Sequence, residues 1–168
     1  MKKWFTCFVS LCVLIVGAIS PVYAEKTSAE AFLYPELKQI EQFCIISVTF
    51  IGSVKESENL DLSKSDLINY AKLRYKNNFA GIPYNEKELG GIKPQDGMMF
   101  IRVWTVGEES IIAYHTEITI STRKEIGIYE DAYLGYTYTG DLKASIKDCI
   151  SGLMEDFATT FFKARGEL

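Results

Sequence analysis

The sequence contains one histidine, His115, which excludes any catalytic arrangement that needs two imidazoles. It also lacks G-x-S-x-G, an S-x-x-K followed by K-T-G, and H-E-x-x-H, so the common nucleophile and zinc-hydrolase signatures are missing. No phosphate-cradling loop is present: Gly90-Gly91 stands alone, without G-x-G-x-x-G or G-x-x-x-x-G-K-[ST]. Positive charge is in deficit, with 18 Lys and Arg against 22 Asp and Glu, which removes the electrostatic basis for nucleic-acid binding. No C-x-x-C occurs, and after Ile19 no apolar run is long enough to span a bilayer.

Residues 1–24 have the form of a signal peptide: basic Lys2 and Lys3, an apolar run from Trp4 to Ile19, helix-breaking Pro21, and Val22-Tyr23-Ala24 as a small-residue cleavage site. Cleavage after Ala24 would leave residues 25–168, a normal size for one domain, and would move the formal net charge from -4 to -6 by removing two lysines. The expectation is an exported protein, periplasmic or secreted, with no stable membrane insertion once the signal is gone. Two of the four cysteines leave with it. Cys44 and Cys149 remain in an oxidising compartment as a candidate disulfide, whose loop of about 100 residues would contribute ~4 to 5 kcal/mol in the chain-entropy model. The alternative is two buried thiols acting as small hydrophobes.

Residues 25–42 read as an N-terminal arm, with a turn or two of helix at 36–42 that sets Leu37 and Ile40 on one side. The domain proper is expected at 43–168. Its first strand runs through CIISVTFIGSV, with Cys44, Ile46, Val48 and Phe50 on one side and Ile45, Ser47, Thr49 and Ile51 on the other, and is expected centrally in the sheet. Leu62-Ser63-Lys64-Ser65-Asp66-Leu67 is a helix start, with Ser63 as N-cap and Leu62 and Leu67 as a staple. The cap accounts for Asp66, so Asp61 and Asp66 are not read as a metal or acid pair. Leu67, Ala71, Tyr75 and Phe79 form the helix stripe, with Ile68 and Leu73 beside it, and Gly81-Ile82-Pro83 ends it. A long loop follows to Gly97.

Met98 to Arg123 folds back on itself about Gly107-Glu108-Glu109-Ser110. If facing positions sum to 217, then Val103, Ile101 and Met99 oppose Tyr114, Thr116 and Ile118 on a core side. Trp104, Arg102 and Phe100 then oppose Ala113, His115 and Glu117 on the other side. AYLGYTYT, 132–139, is a fourth strand. Asp141 is expected to cap a last helix whose stripe is Ile146, Cys149, Ile150, Leu153, Phe157 and Phe161. The order β-α-β-β-β-α predicts an α+β two-layer sandwich: a four-stranded, mainly antiparallel sheet with both helices on one face.

The side left open carries the candidate binding residues Phe100, Arg102, Trp104, His115 and Glu117, joined by Tyr133 or Tyr136. Aromatic rings mixed with charge suit a partner or ligand surface. The competing expectation is that Phe32, Leu33 and Tyr34 fold over this face. His115 and Glu117 could be drawn as an acid–base pair with Arg102 as an anion clamp, but as metal ligands they lack a third, so neither metal nor cofactor is expected. The signal peptide, the β-α-β-β-β-α body and a last helix reading IKDCISGLMEDFATTF together resemble small exported bacterial proteins of unassigned role. That resemblance implies a periplasmic or secreted location and carries over no site residue. The first expectation is thus a non-enzymatic envelope module that binds a protein partner or itself. A small-ligand carrier with a cavity between the open face and loop 83–97 is the alternative, and a small hydrolase using His115 and Glu117 the third.

Overall fold

A computed structural model of the chain describes residues 34–52, 63–108 and 110–168. Residues 1–24, read from the sequence as a signal peptide, and residues Phe32, Leu33, Asp61 and Leu62 lie outside the described residues. The elements are a 3-10 turn at Pro35–Gln39, β1 (Gln42–Gly52), α1 (Lys64–Asn78), β2 (Asp96–Glu108), β3 (Ile111–Ser121), β4 (Tyr129–Tyr138) and α2 (Leu142–Arg165), with short 3-10 turns before β2 and before α2. The strands lie in the order β1-β2-β3-β4, with β1 parallel to β2 and the other pairs antiparallel. The two helices pack against this mainly antiparallel sheet, an α+β arrangement.

The 3-10 turn places Leu37 and Ile40 three residues apart with no exposed surface, so these two side chains join the core as one side of the turn. Tyr34 packs against Tyr129 at the helix side of the sheet, with ring centroids 5.6 Å apart, and does not cover the open face. β1 is an edge strand, not a central one. At its start its free side is occupied by the segment after Pro83: Phe43 N–H donates to Pro83 O, and Asn85 and Lys87 N–H donate to Phe43 O and Cys44 O. The pairing with β2 shifts between Phe43 and Ile45, a bulge that turns both Phe43 and Ile46 toward the helices and leaves Cys44 as the extra residue.

Phe43 then becomes the hub of an aromatic core. Its ring lies 5.5 to 6.0 Å from those of Tyr75, Phe79, Phe157 and Phe161. It lies so close over Gly97 that a Cβ there would come within 2.7 Å of the ring, which explains why the second residue of β2 is glycine. Beside it, Asp96 is fully buried, accepting from Lys87 Nζ at 2.7 Å, Gln42 Nε2 at 2.7 Å and the Lys93 N–H at 2.7 Å. Burial opposes its charge, but these donors outweigh burial and hold the carboxyl below its usual range.

α1 starts as read, with Ser63 Oγ accepting from the Asp66 N–H at 3.1 Å, and buries Leu67, Ala71 and Tyr75. Leu73 is more than half exposed, because α1 offers only one narrow stripe to the sheet. Asp141 occupies the N-cap of α2 without making a cap hydrogen bond. A 3-10 turn, Thr139–Asp141, leads straight into the helix and leaves the residue helical instead of extended. α2 buries Ile146, Ile150, Leu153, Met154, Phe157 and Phe161; Cys149 is partly exposed. Among the described residues no helix is long and apolar enough to cross a membrane.

Candidate functional site

The β2–β3 hairpin pairs positions summing to 219, so Trp104 faces His115, Arg102 faces Glu117 and Phe100 faces Thr119. This corrects the expected pairing of Arg102 with His115, Trp104 with Ala113 and Phe100 with Glu117. The strands run to Glu108 and from Ile111, so the connection is two residues shorter than the turn read from the sequence. At Gly107 the strands close so tightly that a Cβ would lie 2.5 Å from Ile111 O. A shift of two preserves which side each residue occupies, and the five candidate residues therefore still share one face.

That face can be read row by row across the sheet. One row runs Thr49, Arg102, Glu117, Ala132; the next, toward the hairpin, runs Ile51, Trp104, His115, Leu134; beyond it lie Val106, Ala113 and Tyr136, then Ile111 and Tyr138. Arg102 Nη2 donates to Glu117 Oε1 and, at 3.2 Å, to Thr119 Oγ1, which itself donates to Glu117 Oε1 at 2.9 Å. The Arg102 guanidinium carbon lies 5.4 Å from the Trp104 ring centroid, and the Trp104 and His115 rings are 5.1 Å apart. Arg102 Nε is buried with no hydrogen-bond partner. Phe100 is half-buried in the row nearer the start of β2.

Around this cluster the surface is apolar. Ile51, Val106, Ile111, Leu134, Tyr136 and Tyr138 are each between 51% and 69% exposed. They make up six of the ten large apolar side chains exposed among the described residues, gathered on one face at the hairpin end. Most of these residues were not among the sequence-derived candidates. Their signal was present in the second alternation of each strand: Ile51 opposite the core side of β1, and Leu134, Tyr136 and Tyr138 together on β4. Tyr133, by contrast, points to the helices, where its hydroxyl donates to Asp156 Oδ2 at 2.7 Å. Burial, reinforced by that bond, pushes the Tyr133 phenol well up, so it stays a donor at neutral pH.

His115 and Glu117 make no hydrogen bond to each other: the ring rests on Trp104 and the carboxylate is taken by Arg102 and Thr119. The loop after Pro83 begins as an addition to the edge of β1, beside the sheet and not over its open face. Cys44 and Cys149 are free thiols with separate partners, so the candidate disulfide is not formed. Cys44 Sγ donates to Gly97 O at 3.5 Å inside the bulge, while Cys149 lies on α2 near Tyr114. Burial raises both thiol pKa values, which keeps them protonated and poorly nucleophilic. Among the described residues no three His, Cys, Asp or Glu side chains gather to hold a metal ion.

No protein-family model matches the chain, and no curated protein matches it. Among solved structures it is similar to a PelC variant dodecamer from Paraburkholderia phytofirmans, with a TM-score of 0.44, 6% identity, and coverage of 70% of this chain and 86% of that one.

Proposed function

We propose that this protein is a non-enzymatic binding module of the cell envelope that takes a protein partner on the open face of its sheet. The observation that carries this reading is the concentration of six exposed large apolar side chains on that face, around Arg102, Trp104 and His115. A solvent-facing side of an antiparallel sheet ordinarily alternates to polar residues. Here the exposed side is apolar at its hairpin end, with an Arg and a Trp at its middle, the residue types that anchor protein interfaces. The signal-like residues 1–24 support the envelope location.

The test is a photo-activated cross-linking residue placed at Leu134 in living cells, with the same residue at Ile126, which is exposed but away from the face, as control. A discrete adduct from Leu134 and none from Ile126 is the expected result. Equal, diffuse labelling from both positions would remove the basis of the proposal.

A further inference from the structure

We propose that the partner on this face is a second copy of the same chain, the two sheets stacking face to face so that the pair has four layers, helices outside and sheets within. This rests on the binding-module reading and names its partner.

The first argument is the symmetry of the rows. A two-fold axis running along the strands, midway between β2 and β3, exchanges β2 with β3 and β1 with β4. It therefore sets Arg102 of one copy over Glu117 of the other, Trp104 over His115, Val106 over Ala113, and Ile51 over Leu134. In these four contacts each residue meets a complement, and no charge meets its like. Such an isologous contact is what a two-fold dimer requires. Sheets related in this way keep their strands roughly aligned, as face-to-face packed sheets do.

The second argument is the Arg102–Glu117 pair. Both intrachain bonds to Glu117 fall on Oε1, and the Arg102 side chain remains 44% exposed. A second pair stacked in the opposite sense adds a carboxylate beside each guanidinium, closing a ring of four alternating charges. The third argument is size. Six side chains at about half to two-thirds exposure present roughly 600 Å² of apolar surface, at the top of the range for the largest patch on a monomer. Two such faces together bury ~1,200 Å² before Trp104, His115 and Ala113 are counted, which reaches the size of a stable specific interface. The chain has a net charge of -4, yet Arg102 and Glu117 cancel on this part of the face, so the general acidity of the chain does not oppose contact there.

Sedimentation velocity of the purified protein over a wide concentration range tests the proposal. The wild type should dimerise, and Leu134→Lys or Ile51→Lys should weaken the dimer on the order of 100-fold. Ile126→Lys should leave it unchanged. Arg102→Glu and Glu117→Arg should each be monomeric alone and form a one-to-one dimer when mixed, since each copy then offers the charges the other lacks. A wild type that stays monomeric throughout, a dimer indifferent to Leu134→Lys, or charge variants that fail to pair while circular dichroism shows them folded would each overturn it. A monomeric wild type that still gives a cross-link from Leu134 to another protein would refute self-association while leaving the binding-module reading intact. Loss of both results would refute both.

Discussion

The helix-covered and open faces of the sheet are built from the same four strands, yet they are stabilised in different ways. On the covered face Met99, Ile101, Val103, Ile112, Ile118 and Ile120 are all but inaccessible, and the aromatic hub about Phe43 locks α1 and α2 to the sheet. On the open face Leu134 and Tyr136 are as apolar as many core residues but stay more than half exposed, and Trp104 rests on the Arg102 and His115 side chains of the same face. Folding satisfies the first set and leaves the second unsatisfied. The difference teaches that alternation in these strands is incomplete: the second side carries apolar residues that the fold of a single chain does not use.

Substitutions that separate the two faces sharpen this contrast, and the largest effect belongs at the hub. Phe43→Ala should destabilise the protein by ~4 kcal/mol in urea unfolding, because it leaves a cavity among four rings that cannot close over Gly97. Asp96→Asn, beside the hub, should cost about 2 kcal/mol by weakening charge-assisted bonds at a buried site. It should also change the pH response. The folded-state pKa of Asp96 lies below its ordinary value of 3.8, so the stabilisation is complete well above that value and is lost as pH falls through the lowered one. Acid titration of the unfolding midpoint should accordingly be flatter below about pH 4 in the variant than in wild type.

A closer contrast comes from two tyrosines three residues apart on β4. Tyr133→Phe removes the bond to Asp156 under α2 and should cost ~1 kcal/mol. Tyr136→Phe, on the open face, should fall within about 0.5 kcal/mol of wild type. Smallest of all on stability should be Leu134→Lys, also within about 0.5 kcal/mol by thermal or urea unfolding, although the same change is expected to weaken association on the order of 100-fold. If Leu134→Lys proved as damaging to folding as Phe43→Ala, the two faces would not differ in the way described.

Much of this architecture was legible in the residues. The Ser63 cap, the stripes of both helices and the sides taken by Arg102, Trp104 and His115 follow from local periodicity, which the chain respects. What escaped was whatever depends on spacing between strands. Alternation put Cys44 in step with Ile46, but a bulge at that point brings Phe43 inward as well, and a single extra residue leaves no mark in composition. Gly107 and Glu108 read as turn, whereas they extend β2; the resulting shift of two kept the faces and changed the partners, turning an expected Arg102–Glu117 diagonal into a direct pair. Asp96, in a polar loop with Gly and Pro nearby, gave no sign that three donors would enclose it. Strand order was likewise invisible, because β1 is apolar enough for the middle of a sheet but sits at its edge.

The outer strand at the opposite edge, β4, carries a small feature with a wider consequence. Asp131 Oδ1 accepts from the backbone N–H of Ala132 at 3.0 Å, so one of the amide donors of that strand is already engaged by a charged side chain. A strand from another molecule arriving alongside would find its ladder interrupted at that point and would bring its carbonyl against a carboxylate. Endless ribbon-like growth is therefore discouraged at that point of the edge, which leaves the open face, and not the strand margin, as the place where this sheet can meet another.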